Sequence, residues 1–378
     1  LYGYCDILMK KRFTFNFALL IVIFSALLLV IFALLAGMQQ QIKAQSPEMG
    51  GFYGLVISPV KEEYFIERGK TASASFDIRH DFSDPEVVIK LFPFINDFTS
   101  DNKTGIPHLL DPSRPKDVTT LEDWVTLDKE EFSLDFRGAK VTINYTISVP
   151  EDANFGSYYA AVILSDTKDI KERFDENQVS LTFRIGYLLL VTVPGDIVSN
   201  LDIIDLKLTD YQGITPFFNI FEFQPVNIVT TLGNNGNVYL IPGGDVFIHQ
   251  GDITKSLFSA PFNENSAAVL SGSYREFTVS WNDGFARFDE VINPSNGEST
   301  QQFTLHPENL SKFYLGKYQV SVKVLFQVNP DGEFKIIEKN AEFLIIPWKL
   351  ILLLLVLIIT YFLWRRHRKK RLLKKETL

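Results

Sequence analysis

Val141-Thr142-Ile143-Asn144-Tyr145-Thr146-Ile147-Ser148-Val149 carries an apolar side chain at every second position. Successive side chains of a β-strand point to opposite faces. Val141, Ile143, Tyr145, Ile147 and Val149 therefore share one face, and the polar residues between them share the other. The same period of two recurs at 72–78, 87–92 and 158–164, while 179–193 is apolar almost without a break, as in a strand buried on both faces. Val193-Pro194-Gly195-Asp196 interrupts the series and marks a domain boundary. A second series follows at 201–208, 226–232, 244–248, 274–281, 301–305, 317–328 and 334–346, and helical stripes are nearly absent between 51 and 346. Two sets of about seven short strands predict an all-β ectodomain of two tandem immunoglobulin-like β-sandwiches, at 45–194 and 195–346. A single large barrel or jelly roll is the structural alternative.

Two apolar stretches flank this body. Lys10, Lys11 and Arg12 precede a charge-free run at 13–37, the pattern of an N-terminal signal peptide or uncleaved anchor over 1–44. Ala44 stands at a candidate cleavage point, and Met9 is a candidate true start. Residues 347–364 form a C-terminal transmembrane helix, with Trp348, Tyr361 and Trp364 as anchors at the headgroup level. A basic tail at 365–378 follows, with Arg365, Arg366, Arg368, Lys369, Lys370 and Arg371. Positive charge beside a span stays cytoplasmic, which predicts a plasma-membrane protein with its C-terminus inside and its body outside.

Charge supports this layout. Four of the 37 lysines and arginines precede Gln45 and nine follow Trp348, whereas only two of the 45 acidic residues lie in those ends. The segment 45–348 is left at −19, a potential that repels phosphate backbones and disfavours nucleic acid. Cys5 is the single cysteine, so an intramolecular disulfide is excluded, and the five scattered histidines leave little material for a transition-metal site.

Catalytic patterns do not assemble. Ser100-Asp101-Asn102 abuts Lys103-Thr104-Gly105, and Ser-x-x-Lys occurs at Ser113 and Ser165. In serine penicillin-recognising enzymes such motifs sit on separate elements around a helix-borne nucleophile, whereas here two are contiguous in one polar loop. Asp101-x-Lys103-x-Gly105 is a poor calcium loop, because lysine occupies a ligand position. Gly233-Asn234-Asn235-Gly236-Asn237 reads as a turn of residues tolerant of positive φ. No cofactor, metal site or enzymatic activity is expected. Segment 96–122 lacks strand alternation and is expected to be a long exposed loop, with Asp101, Asn102, Lys103 and His108 as the candidate binding residues.

Several stretches resemble a known family. Tyr64-Phe65-Ile66-Glu67-Arg68-Gly69-Lys70, Trp124-Val125-Thr126-Leu127, the strand at 141–149 running into Pro150, and Phe155-Gly156-Ser157-Tyr158 are similar to the first domain of bacterial WxL-interacting proteins. Asn234-Asn235-Gly236-Asn237 with Pro242-Gly243-Gly244 resembles a segment of surface sandwiches attached to such domains. The resemblance implies a bacterial cell-surface protein that contacts peptidoglycan or another surface protein at the cell wall, in adhesion or wall linkage. Ala160-Ala161 replaces the family's paired glycines and Arg68-Gly69 its Pro-Gly, so it assigns no ligand residue. The alternative from a different class is a sensory or secretion-machinery subunit with a short cytoplasmic docking tail.

Overall fold

The computed structural model describes residues 54–376 apart from 83–86, 112–113, 116–118, 167, 169–183, 252–253, 293–298 and 328–332. The N-terminal signal or anchor expected at 1–44, with Lys10, Lys11 and Arg12, lies outside the described residues.

The first β region runs through β1 (Leu55–Ser58), β2 (Lys61–Phe65), β3 (Thr71–His80), β4 (Ile89–Ser100), β5 (Pro107–Leu109), the short helix α1 (Leu121–Trp124), β6 (Val125–Leu127), β7 (Phe132–Leu134), β8 (Lys140–Ser148), β9 (Gly156–Ser165) and β10 (Arg184–Val193). One sheet has the order β1-β3-β8-β6; the other is β2-β10-β9-β4-β5, with β7 beside β4. The alternation in β8 does what its chemistry demands. Ile143, Tyr145 and Ile147 are buried while Thr142 and Asn144 face outward. Register with β3 sets Phe76 opposite Ile143 and Ala74 opposite Tyr145. Both sheets contribute to a single buried cluster drawn from residues between Leu55 and Val193. Inside it Phe76 stacks on Tyr187 at 4.2 Å between ring centroids. The Tyr145 hydroxyl bonds those of Tyr64 and Tyr187, at 2.6 and 2.7 Å, so none of the three is buried without a partner.

The second region comprises β11 (Leu201–Thr209), β12 (Ile220–Phe221), β13 (Val226–Asn234), β14 (Gly243–His249), β15 (Ser256–Pro261), β16 (Tyr274–Trp281), β17 (Ala286–Ile292), β18 (Ser299–Leu305), β19 (Gly316–Gln327) and β20 (Phe334–Ile345). Its sheets have the orders β11-β13-β16 and β12-β20-β19-β14-β15, with β17 and β18 as a separate pair. A second buried cluster, drawn from Leu201 to Ile345, lies among them. Its centre is Trp281, ringed by Tyr314, Tyr318 and Phe343 at 4.6, 5.3 and 6.0 Å.

The near-continuous apolar run ending at Val193 has a specific cause. On β9 and β10, Ala160, Val162, Leu164, Leu189 and Val191 enter the first cluster. The intervening Ala161, Ile163 and Leu190 face the other way and pack with Phe98 and with Leu270 of the second region. One sheet is thus covered on both faces, by its own partner sheet and by the neighbouring region.

Segment 96–122 departs from expectation. Instead of an open loop, β4 continues through Ser100, β5 pairs with it, and α1 closes the stretch. Asn96 and Asp97 are buried, the former donating from Nδ2 to the Leu110 carbonyl at 2.8 Å. The polar residues that hid the strand pattern are there to make these internal bonds.

After β20, only Ile346 and Pro347 precede α2 (Trp348–Glu376). Its apolar part, Trp348–Arg366, is long enough to cross a membrane, and none of that window is buried against the chain. Trp348, Tyr361, Trp364, Arg365 and Arg366 are all exposed on it. The backbone of Arg368, Lys369, Lys370 and Arg371 continues the same helix, so the basic tail prolongs its apolar part without a break.

Candidate functional site at the seam between the two regions

The apolar contact of β9 and β10 with Leu270 is bordered by hydrogen bonds on more than one flank. On one flank, Asp101, Asn102 and Lys103 form the turn between β4 and β5. The Glu276 amide donates to the Lys103 carbonyl at 2.7 Å, and the Tyr274 amide donates to Asn102 Oδ1 at 3.2 Å. Both amides belong to β16, the end strand of its sheet, so the turn covers part of an open strand edge. Two of the four residues expected to bind a partner, Asn102 and Lys103, thus bond the protein's own second region, while Asp101 shapes the turn that carries them. His108 stands apart on β5, exposed and opposite Thr99.

The turn is internally fixed. Asp101 accepts from the Thr104 hydroxyl and from the amides of Lys103 and Gly105 at 3.0 and 2.7 Å. Desolvation pushes its carboxyl up, but these bonds outweigh it and hold the group well below the usual carboxylate range. Gly105 has φ +78°, a left-handed conformation, and a β-carbon there would run into the Arg275 guanidinium. Burial lowers the Arg275 pKa, while Asp101 raises it.

Behind the turn sits a clasp of charges. The Asp97 amide donates to Glu122 Oε2 at 2.7 Å, the Glu122 amide donates to Asp97 Oδ1 at 3.0 Å, and Arg114 reaches both carboxylates at 2.6 and 3.3 Å. Burial raises the Asp97 pKa. The two acids are close, as in a catalytic pair, yet they bind each other's backbone and a shared guanidinium. Their geometry ties α1 to β4.

A further flank joins Gly156-Ser157 to the 234–239 turn. The Ser157 amide donates to the Asn237 carbonyl at 2.8 Å, and the Tyr239 amide donates to Ser157 Oγ at 3.2 Å. A β-carbon on Gly156 would stand 2.6 Å from the Asn237 carbonyl oxygen. Gly236 needs its missing side chain because a β-carbon would overlap the Val198 carbonyl, not for a positive φ. The turn expected from its glycines and asparagines is present, for a reason of close approach.

Beside this flank a cleft of about 230 Å³ opens between the regions. Its walls include Glu63 and Phe65 of β2, Thr192, Ile197, Tyr239 and Gln327. The Tyr239 hydroxyl donates to Glu63 Oε2 at 2.8 Å across the seam. Burial raises the Glu63 carboxyl, but hydrogen bonds from Lys61 and Tyr239 prevail and keep its pKa lowered. Burial, then the Glu63 carboxylate, push the Tyr239 phenol upward. β2 ends its sheet, paired on one side only, in parallel with β10. Phe65, 66 % exposed, lies at its end. An ionised carboxylate, an exposed ring and an open strand edge suit an extended peptide-like segment.

Glu63, Tyr239 and Arg275 were not singled out from the sequence. Lys61-Glu62-Glu63 could have been noticed, since charge on an otherwise strand-like segment is how open edges are protected.

No family model matches this chain, and no curated protein matches its sequence. Among solved structures, it is similar to a chain of the CFA/I fimbriae chaperone–tip adhesin complex (12 % identity, 75 % of this chain and 98 % of that one, TM-score 0.34). The class 5 fimbriae chaperone CfaA matches at 12 % identity over 75 % and 98 %, with a TM-score of 0.33. A PapD-like domain of human CEP192 matches at 10 % over 38 % and 86 %, with a TM-score of 0.24. Likeness of this degree assigns neither a family nor a function.

Proposed function

We propose that this chain is a non-catalytic, membrane-anchored cell-surface protein. Two tandem immunoglobulin-like sandwiches stand outside the plasma membrane and bind peptidoglycan or another surface protein. The observation that carries this reading is the junction of an all-β body, by two residues, to a helix whose apolar window lies wholly outside the fold and runs into basic residues. Such a helix finds its apolar surroundings in a bilayer, and its basic end favours the cytoplasmic side. The N-terminal basic triplet before an apolar run agrees with that orientation.

The binding role rests on the cleft. β2 offers unpaired backbone groups beside Glu63, Tyr239 and Phe65, which favours strand addition by an extended segment of a partner. The resemblance to WxL-interacting proteins adds peptidoglycan as the other ligand. Sedimentation of the full chain in detergent with isolated peptidoglycan sacculi, at low and high salt, tests this. Salt-insensitive co-sedimentation that survives Phe65→Ser makes the wall the ligand. Loss of a surface-protein partner on Phe65→Ser, with no sedimentation, makes the cleft a protein site. Absence of both sets the binding reading aside. The alternative, a sensory or secretion-machinery subunit, draws support from α2 continuing unbroken to Glu376, since a helical tail could dock inside.

A further inference from the structure

The end of the second region from which α2 leaves is apolar at its surface, and strand register identifies which residues lie there. β20 runs toward α2, and β19 begins opposite its end, with Gly316 paired to Ile345. The residues just before Gly316 therefore lie at the helix-bearing end. Three of them, Leu310, Phe313 and Leu315, are exposed, Leu310 by 66 %. β11 ends at the same level, with Thr209 opposite Asn227 at the start of β13. The chain then crosses to β12, whose Ile220 pairs with Leu344. That crossing displays Ile214, Phe217 and Phe218, the two rings 81 % and 77 % exposed and 4.1 Å apart. Phe218 and Asn219 hold left-handed φ values of 56° and 53°, so the backbone bears strain while both rings face outward.

Several carboxylates at this end are paired with cations, and Asp210, which opens the 210–219 crossing, accepts from the amides of Gln212 and Ile214 at 2.9 and 3.0 Å. Glu222 bonds Lys349 in the first turn of α2 at 2.7 Å, Asp283 bonds Lys312 at 2.9 Å, and Glu308 bonds His306 at 2.7 Å. The segment 45–348 as a whole is strongly acidic, at −19. Exposed apolar side chains on two loops, at the end of the fold where an apolar helix starts, fit the interfacial layer of a bilayer.

We infer that this end of the second region is a membrane-seated foot: Phe217 and Phe218 on one loop, with Leu310 and Phe313 on another, enter the outer headgroup layer around α2. The foot rests on the reading of α2 as a membrane span. Phenylalanine and leucine side chains insert at the headgroup–acyl boundary, and two loops besides the helix give more than one point of support, which fixes the tilt of the body.

The test uses the full chain with Cys5→Ser, carrying a nitroxide at Phe217→Cys, Leu310→Cys or, as the reference, Val60→Cys, which is 65 % exposed in the first region. The protein is reconstituted into phosphatidylethanolamine–phosphatidylglycerol vesicles, and collision with oxygen is compared with collision with a water-soluble nickel chelate. The expected result is an oxygen-to-nickel ratio several-fold higher at 217 and 310 than at 60. Equal ratios at all three sites place the foot in water and overturn the inference while leaving the span intact. Labels at 217 and 310 shielded from both reagents mean that protein, such as a second copy, covers the foot, which also overturns it. A chain that fails to float with the vesicles removes the span and the foot together, an outcome distinct from either of the others.

Discussion

In the first β region the polar groups deepest in the core, the hydroxyls of Tyr64, Tyr145 and Tyr187, bond one another. In the second, Trp281 Nε1 is buried with no hydrogen-bond partner among the described residues, and so are Gln224 Nε2, Asn282 Oδ1 and Asp283 Oδ1. These four sit just beyond or at the ends of β12 and β16, near the departure of α2. The contrast is one of means. The first region is locked by a polar relay across its two sheets, while the second is held by rings packed around an indole and leaves unmatched polar atoms at the end from which α2 departs. Unmatched buried groups cost stability, so that end is the part of the fold least optimised for its own sake.

The contrast is testable by substitution. Trp281→Ala removes the ring that Tyr314, Tyr318 and Phe343 surround, and is expected to destabilise the protein by about 3–5 kcal/mol in chemical denaturation. Intact near-ultraviolet dichroism from the first-region tyrosines under conditions where the second region has melted would show the regions unfolding separately. A single lost transition would show the seam coupling them. Gly156→Ala drives a methyl toward the Asn237 carbonyl and opens that seam, at an expected cost of roughly 2 kcal/mol. Faster amide exchange at Ser157 and Tyr239 should accompany it.

Tyr145→Phe deletes the middle hydroxyl of the relay and strands two others, for an expected loss of about 1–3 kcal/mol in the same denaturation measurement. Trp281→Phe should lose only packing, because Nε1 makes no bond to lose, and so should cost less than Trp281→Ala, about 1–2 kcal/mol, with no stranded partner left behind. Faster amide exchange at Tyr64 and Tyr187 in Tyr145→Phe, without a matching change around Trp281 in Trp281→Phe, would mark the polar lock; its absence would dissolve the distinction between polar lock and ring packing.

The smallest effect expected is one of pH, at the β17–β18 pair. His306 Nε2 bonds Asp289 at 2.6 Å and Nδ1 bonds Glu308 at 2.7 Å. These bonds raise the His306 pKa above its ordinary 6.5, against opposition from Arg287. A raised folded value means the contribution is complete below 6.5 and lost as pH climbs through the folded pKa. The Asp289 pKa is lowered; burial raises it, but bonds from Thr304, His306 and Arg287 prevail. Its share is therefore complete above the ordinary carboxylate range and lost in acid. Amide exchange in this hairpin, corrected for intrinsic rate, should be slowest in mildly acidic buffer and should quicken toward pH 9. A flat profile would mean that the histidine bridge adds nothing.

Much of the strand pattern was legible because burial on one face writes itself as a period of two. The expected 274–281 coincides with β16, and 141–149 overlaps β8 with Ile143, Tyr145 and Ile147 inward. β15 and β17 escaped because their side chains are largely exposed or half-buried, so no apolar face marks them. The far end of β4 escaped because Asn96 and Asp97 are buried through hydrogen bonds, a mode of burial that looks like a loop in sequence. The seam was half legible. The continuous apolar run declared that β10 has two covered faces, but Leu270, which helps cover the second, sits more than seventy residues away in a turn. The cleft is less legible still, since Glu63 and Tyr239 meet only once both regions have folded.

The passage from β20 to α2 spends just two residues, one of them proline. With α2 in a bilayer, such a joint is a bracket and not a swivel. A flexible linker would let the ectodomain sweep a hemisphere of radius growing as the square root of linker length. With α2 in a bilayer, this one would confine it to a fixed height above the lipid, with lateral diffusion as its main freedom. A partner would then have to present its segment within that narrow layer. Load applied to the ectodomain would reach the span as torque, without slack to absorb it.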